Sequence, residues 1–173
     1  MNINLFNIKS NLKSRAKFIV FALLLCGSNI LLDRISKNLA VRFLQGQKPL
    51  VFFNDLLVLI YAENSGAFLS LGASWPQALK FAVLLVLPII ICFVVLLWLM
   101  FKEERLWRVI TGSCIIGGGL SNLTDRLVNN FYVIDFINLG IGKFRTGILN
   151  IADISVTFGV IVLLIMERRV KCK

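Results

Sequence analysis

Residues 79–101 read LKFAVLLVLPIIICFVVLLWLMF, an unbroken apolar run whose single charge, Lys80, stands at its edge. About 20 such residues in a helix cross the ~30 Å hydrocarbon core of a bilayer, and that much apolar surface is not left facing water. The rest of the chain agrees. Its 173 residues are 58% hydrophobic and 16% charged, with 14 Phe, and the mean hydropathy is +0.84. Soluble domains average nearer half apolar and a quarter charged. The length suits one domain, so residues 1–173 are expected to form a single membrane-embedded unit. Histidine is absent, which excludes an imidazole base and most catalytic zinc sites.

Working outward from 79–101, four segments are long and apolar enough to cross: about 17–39, 78–101, 106–125 and 149–167. The first is apolar to Leu32 and turns polar at Asp33. Basic Lys9, Lys13, Arg15 and Lys17 precede its apolar stretch Phe18 to Cys26, as in a cleaved signal, and Leu24-Leu25-Cys26-Gly27 hints at a lipoprotein processing site. However, Leu23 and Leu25 stand where processing wants small residues, so a retained first helix is expected. Residues 1–16 read as a cytoplasmic tail. Ile3, Phe6 and Ile8 with Lys9 and Lys13 would allow a short surface helix, but an unstructured tail is expected. In the third segment Ser113, Gly117 and Ser121 recur every four residues, the small-residue face on which membrane helices approach closely. The stretch 50–61 is too short to cross. Its β-branched and aromatic residues around Asn54-Asp55 read as a hairpin of Val51–Phe53 and Leu57–Tyr61, part of an outer cradle over about 41–77. The expected fold class is an all-α membrane protein with four transmembrane helices and a small β-hairpin or sheet cradle resting on the outer face.

The net charge is +10. Nucleic-acid binding is not indicated, because the basic residues form no stripe with interleaved aromatics. They report topology instead. Four crossings put both termini on one side, where eleven Lys and Arg crowd short tails and one tight turn, against eight dispersed on the other side. Lys and Arg are retained on the cytoplasmic side, so both termini are cytoplasmic. Asp33, Asp55, Glu63, Asp125, Asp135 and Asp153 then fall on the outer side. Cys26, Cys92, Cys114 and Cys172 follow no metal spacing and receive no chemistry. No metal or cofactor is expected.

Four polar islands interrupt the apolar sequence: Asp33-Arg34-Ile35-Ser36-Lys37; Asn64-Ser65-Gly66-Ala67-Phe68; Gly119 to Arg126, with Ile134-Asp135-Phe136 beyond it; and Asn150-Ile151-Ala152-Asp153. Ionisable groups at the edge of the hydrocarbon are expensive and suggest function, although any one of them read singly is a helix cap or an ion-pair partner. Asn150 and Asp153 share a helix face, with Thr157 one turn below, and Asn122 shares a face with Asp125 and Arg126. Ser36 and Lys37 are adjacent, so their side chains diverge and a Ser–Lys dyad is not expected. The simplest competent machinery is two carboxylates around a water: one ionised, removing its proton, the other protonated, polarising a carbonyl. Such a pair titrates jointly. Asp153 lies near a helix N-terminus, whose partial charge favours the anion, and Asp135 between Ile134 and Phe136, where apolar surroundings favour the acid. Asp125, beside Arg126, is expected to stay ionised and orient that arginine.

These ordered islands resemble the motifs of bacterial lipoprotein signal peptidase, signal peptidase II, over about Asp33 to Gly159. The resemblance implies a four-helix membrane aspartyl peptidase of the bacterial inner membrane. Its substrates would be prolipoproteins carrying a diacylglyceryl cysteine, cut just before that cysteine, and globomycin-type peptides would inhibit it. Asp135 and Asp153 match the catalytic pair, and Asn64, Gly66, Asn122, Arg126 and Asn150 the residues lining the site. Asp33, Lys37 and Asp125 match its structural support. Phe68 stands where the family has a second alanine, and Ser121 where it often has glycine. A monomer contacting membrane lipids and no nucleic acid is expected. Two other readings compete: a small transporter or ion-binding membrane protein, and an inactive lipoprotein-binding factor on the same fold. Transporter sites tend to lie near the midplane in broken helices, whereas these acids gather at one face.

Overall fold

Residues Leu5–Leu44 form one helix, α1, of 40 residues. At 1.5 Å per residue it is ~60 Å long, about twice the hydrocarbon thickness. The computed structural model describes residues 5–67, 70–102 and 105–171, so Ile3, Phe68, Cys172 and Lys173 lie outside the described residues. The unstructured tail expected for Met1 to Ser14 is corrected from Leu5 onward, where α1 is already helical. The helix also runs past 39, because the polar residues of its last turns find partners on other helices. It ends before Gly46, whose φ of +73° a side chain would disfavour.

The second helical rod begins as α2 (Gln77–Lys80), passes through a π-helical turn (Phe81–Val86) and continues as α3 (Leu87–Lys102). Pro88 supplies a cause for the wide turn: it has no N–H to donate and its ring crowds the carbonyl four residues back. Two helices follow, α4 (Leu106–Val128) and α5 (Ile151–Lys171). The fourth segment therefore starts later than 149, since Leu149 closes a strand.

The sheet is larger than the hairpin read from the sequence. Strands β1 (Leu50–Phe52) and β2 (Leu57–Asn64) form that hairpin, and β3 (Val133–Ile141) and β4 (Phe144–Leu149) arise from the connection between α4 and α5. All pairs are antiparallel, in the order β1-β2-β3-β4. The fold is thus helical with a four-stranded sheet rather than all-α. Leu59, Tyr61 and Ile137 of the sheet pack with Phe136 against Ala40 and Leu44 at the end of α1.

Helix α4 lies between α1 and α5, and its small residues explain how closely. A Cβ on Gly117 would come 2.9 Å from Asn29 Cβ on α1, and one on Gly118 2.5 Å from the Ala152 carbonyl oxygen on α5. Larger residues at either position would push the helices apart. At the other end of this pair Arg108 bonds Glu167 at 2.6 Å and stacks on Trp98 and Trp107.

Among the described residues, two helical stretches are apolar and long enough to cross a membrane: Arg15–Leu44 and Gln77–Leu99. Helix α5 turns Phe158, Ile161 and Leu164 outward, each more than half exposed.

Candidate active site

Helix α5 opens with a reciprocal cap. The Asp153 amide donates to Asn150 Oδ1 at 2.8 Å, and the Asn150 amide donates to Asp153 Oδ2 at 3.3 Å. This capping box fixes the Asp153 carboxylate at the positive end of the helix. The Asn150 side chain, fully buried, then reaches the sheet, where its Nδ2 donates to Asp135 Oδ1 at 2.7 Å. The same nitrogen lies 3.2 Å from Asn122 Oδ1. Asn122 Nδ2 in turn donates to Asp153 Oδ1 at 2.8 Å. Two asparagines therefore link the carboxylate of β3 to that of α5, one directly and one through the neighbouring amide.

Asp135 is held from its other side by β2. Asn64 Nδ2 donates to Asp135 Oδ2 at 2.9 Å and to the Ala67 carbonyl at 3.1 Å, while Asn64 Oδ1 accepts from the Gly66 amide at 2.9 Å. One asparagine thus positions the acid and shapes the following turn. Gly66 is buried there. A Cβ on it would meet the Leu71 and Ser70 carbonyl groups at 2.6–2.7 Å, so the chain can approach itself only without a side chain. Arg126 Nη2 donates to the Gly66 carbonyl at 2.9 Å and ties this turn to α4, while its buried Nε makes no hydrogen bond among the described residues. A recess of about 180 Å³, lined by Asn64, Ser70, Asp135, Gly147 and Ile148 among others, opens onto Asp135.

Burial above all, with the Asp153 charge adding to it, pushes the Asp135 carboxyl up to about 6 against the lowering effect of the Asn64 and Asn150 donors and of Lys37. The direction agrees with the sequence reading, but the cause is different. Side chains one residue apart in a strand point to opposite faces, and Phe136 packs toward α1. Withdrawal of Asp135 itself from water, at 2% exposure, is what matters.

Beneath the pair lies a buried ionic cluster. Lys37 Nζ contacts Asp33 Oδ2 at 2.5 Å, Asp125 Oδ2 at 2.7 Å and Asn122 Oδ1 at 2.9 Å. Its three hydrogens have three acceptors, and Lys37, Asp33 and Asp125 are all fully buried. Arg34 closes the charge balance at 2.8 Å from Asp125. Asp33 also accepts from Ser121 Oγ at 2.6 Å and from the Ala152 amide at 2.9 Å, and so caps a free N–H in the first turn of α5. Helices α1, α4 and α5 meet at this cluster, and Lys37 reaches the carboxylate pair through Asn122.

One reading from the sequence needs correction. Asp125 does not orient Arg126: it pairs with Lys37 and Arg34, because adjacent residues on a helix diverge. Thr157, one turn below Asp153 on α5, is exposed. Sequence reasoning gave no role to Arg34 and treated Ser121 only as a small residue, although its hydroxyl bonds Asp33. A hydroxyl on the α4 face turned toward buried Asp33 was the available signal.

Comparison with known proteins fits this geometry. The family model described as Signal peptidase (SPase) II matches residues 23–168. A lipoprotein signal peptidase of Borrelia duttonii (strain Ly) is 33% identical over 178 aligned positions, covering 100% of this chain and 98% of that protein. One from Sphingopyxis alaskensis is 36% identical over 156 positions, covering 87% and 86%. A solved structure described as "Bacterial membrane enzyme structure by the in meso method at 2.3 A resolution" shares the fold, with a TM-score of 0.74 at 23% identity over 88% of this chain and 90% of that one.

Proposed function

The chain belongs to the signal peptidase II family, and from that premise we propose that Asp135 and Asp153 are the carboxylates with which this membrane peptidase cuts lipoprotein precursors. The observation that carries the proposal is the Asn150 side chain, which caps Asp153 through Oδ1 and holds Asp135 through Nδ2. Family membership displaces the transporter reading.

In the proposed reaction Asp153, anchored as an anion at the helix N-terminus, removes a proton from a water lying between the two acids. The water oxygen attacks the carbonyl carbon of the residue before the lipidated cysteine. Asp135, protonated, donates a hydrogen bond to the carbonyl oxygen as it gains charge. Collapse of the tetrahedral adduct breaks the C–N bond, and the proton taken from water passes to the cysteine amine. A pKa near 6 suits Asp135 to hold and share a proton close to neutral pH. Asn64 and Arg126 brace the turn at Gly66, and the free Nε–H of Arg126 offers a donor to the precursor backbone. Asp33, Lys37 and Asp125 hold the three helix ends in register.

The proposed setting is the bacterial inner membrane, crossed four times by α1, α2–α3, α4 and α5, with both termini cytoplasmic and the site at the outer face. There a diacylglyceryl cysteine presents its bond with both acyl chains in lipid, at about 0.8 kcal/mol per buried CH₂. Little of the remaining precursor sequence needs to be read. The protein acts as a monomer, and globomycin-type peptides occupy the same site. The test is cleavage of one precursor with and without the diacylglyceryl group, with the products sequenced from their new N-termini. A cut just before the cysteine in the lipidated form alone is expected. Equal cleavage of both forms, or a cut elsewhere, would overturn the proposal.

A further inference from the structure

The sheet has two ends of different character. One carries Asn64 and Asp135 and belongs to the site. At the other, the register pairs Leu57 with Leu139 and Ile141 with Phe144, which brings the β1–β2 and β3–β4 turns to the same edge. They are fastened together. Arg145 Nη1 contacts Asp55 Oδ2 at 2.8 Å and donates to the Asp55 carbonyl at 2.7 Å, and the Gly140 amide donates to the Leu56 carbonyl at 3.0 Å.

This joined end is apolar and uncovered. Phe144 is 90% exposed, Phe53 76% and Ile141 74%. Phe53, Asn54 and Asp55 hold φ of 54°, 52° and 72°, three consecutive side-chain-bearing residues in the left-handed region. The Arg145 clamp fastens this turn at Asp55, with Phe53 at the tip. Among the described residues, basic Lys143 has no ion-pair partner, while acidic Asp55 is neutralised by Arg145. Exposed aromatics with a lone cation match the boundary between acyl chains and lipid phosphates. From Ile137, where the sheet packs against the end of α1, four residues lead along β3 to Ile141, a span of ~13 Å.

We propose that the two hairpin tips form an apolar fork seated in the headgroup–acyl boundary of the outer leaflet. Because β3 carries both Ile141 and Asp135, the fork sets the height of the carboxylate pair against the bilayer that holds the lipidated cysteine. This rests on the outer-face placement proposed above.

The test places a reporter on each tip, Phe144→Trp and Phe53→Trp, in the full chain in phosphatidylcholine–phosphatidylglycerol vesicles. The emission of native Trp75, Trp98 and Trp107 is measured on the parent protein in each lipid and subtracted. Lipids brominated near the headgroup should quench the added emission about twofold and more than lipids brominated deep in the acyl chain, as expected for insertion of roughly 5–10 Å. Water-like emission untouched by either lipid would overturn the fork. So would blue-shifted emission insensitive to bromine, which marks a protein surface covering the tips. The double variant Phe53→Ser, Phe144→Ser should raise KM in vesicles several-fold with kcat retained, and an unchanged KM would overturn the height-setting role. Parent protein that cleaves precursor while the tips go unquenched refutes the fork alone. Parent protein that cleaves nothing refutes the peptidase reading, and the quenching result then stands by itself.

Discussion

Replacing Lys37 with Met keeps much of its volume and removes its charge. Lys37 is fully buried, and its three acceptors include two carboxylates that are themselves fully buried. Among the described residues, the variant leaves Asp33 with Ser121 and the Ala152 amide, and Asp125 with Arg34. Breaking a buried pair by removing one partner costs about 3–5 kcal/mol. For a chain of this size each kcal/mol lowers Tm by ~2–4 °C, so a fall of about 6–20 °C is expected. Thiol-reactive dye uptake on heating is the assay, because Cys92 is buried and Cys26 and Cys114 are half-buried in the folded chain. A double variant, Lys37→Met with Asp125→Asn, should recover part of the loss, since one of the stranded charges is gone. A single variant within ~2 °C of the parent, or a double variant less stable than the sum of the singles, would refute this account of the cluster.

Precursor cleavage should also follow the proton on Asp135. With that carboxyl near 6, kcat/KM should fall about tenfold per pH unit well above pH 6. Asn64 donates to the anion and so lowers the pKa, and Asn64→Ala should move this alkaline limb to higher pH. A limb unmoved, or moved down, would contradict the assignment. Gly66→Ala should reduce kcat/KM by at least tenfold, about 1.4 kcal/mol, because the new methyl group meets backbone carbonyls that cannot yield as a side chain would. Parent-like activity would show that the turn has room.

Much of this was legible in the sequence where hydrophobicity or short motifs carried the signal. The run 79–101 announces a crossing by itself, and the islands around Asn64, Asn122 and Asn150 fall together in space. What the sequence hid depends on partners distant in the chain. Helix α1 continues through Asp33, Arg34 and Lys37 because α4 and α5 satisfy those charges, which no local pattern reports. Strands β3 and β4 read as a mere connection: Gly140 and Gly142 interrupt their alternation, and the sheet is completed only by pairing with β2. Asp125 was matched to its chain neighbour Arg126, when helix geometry sends the two side chains apart and delivers Asp125 to Lys37.

The central claim is that Asp135 and Asp153 share the chemistry without a metal. Its most direct test is cleavage of a diacylglyceryl-modified precursor in detergent, with chelator present, by the parent and by Asp135→Asn and Asp153→Asn. Parent activity should survive chelation, and each variant should lose activity while keeping the parent's thermal stability to within a few degrees. Cleavage retained in both variants, or abolished in the parent by chelator, would contradict it.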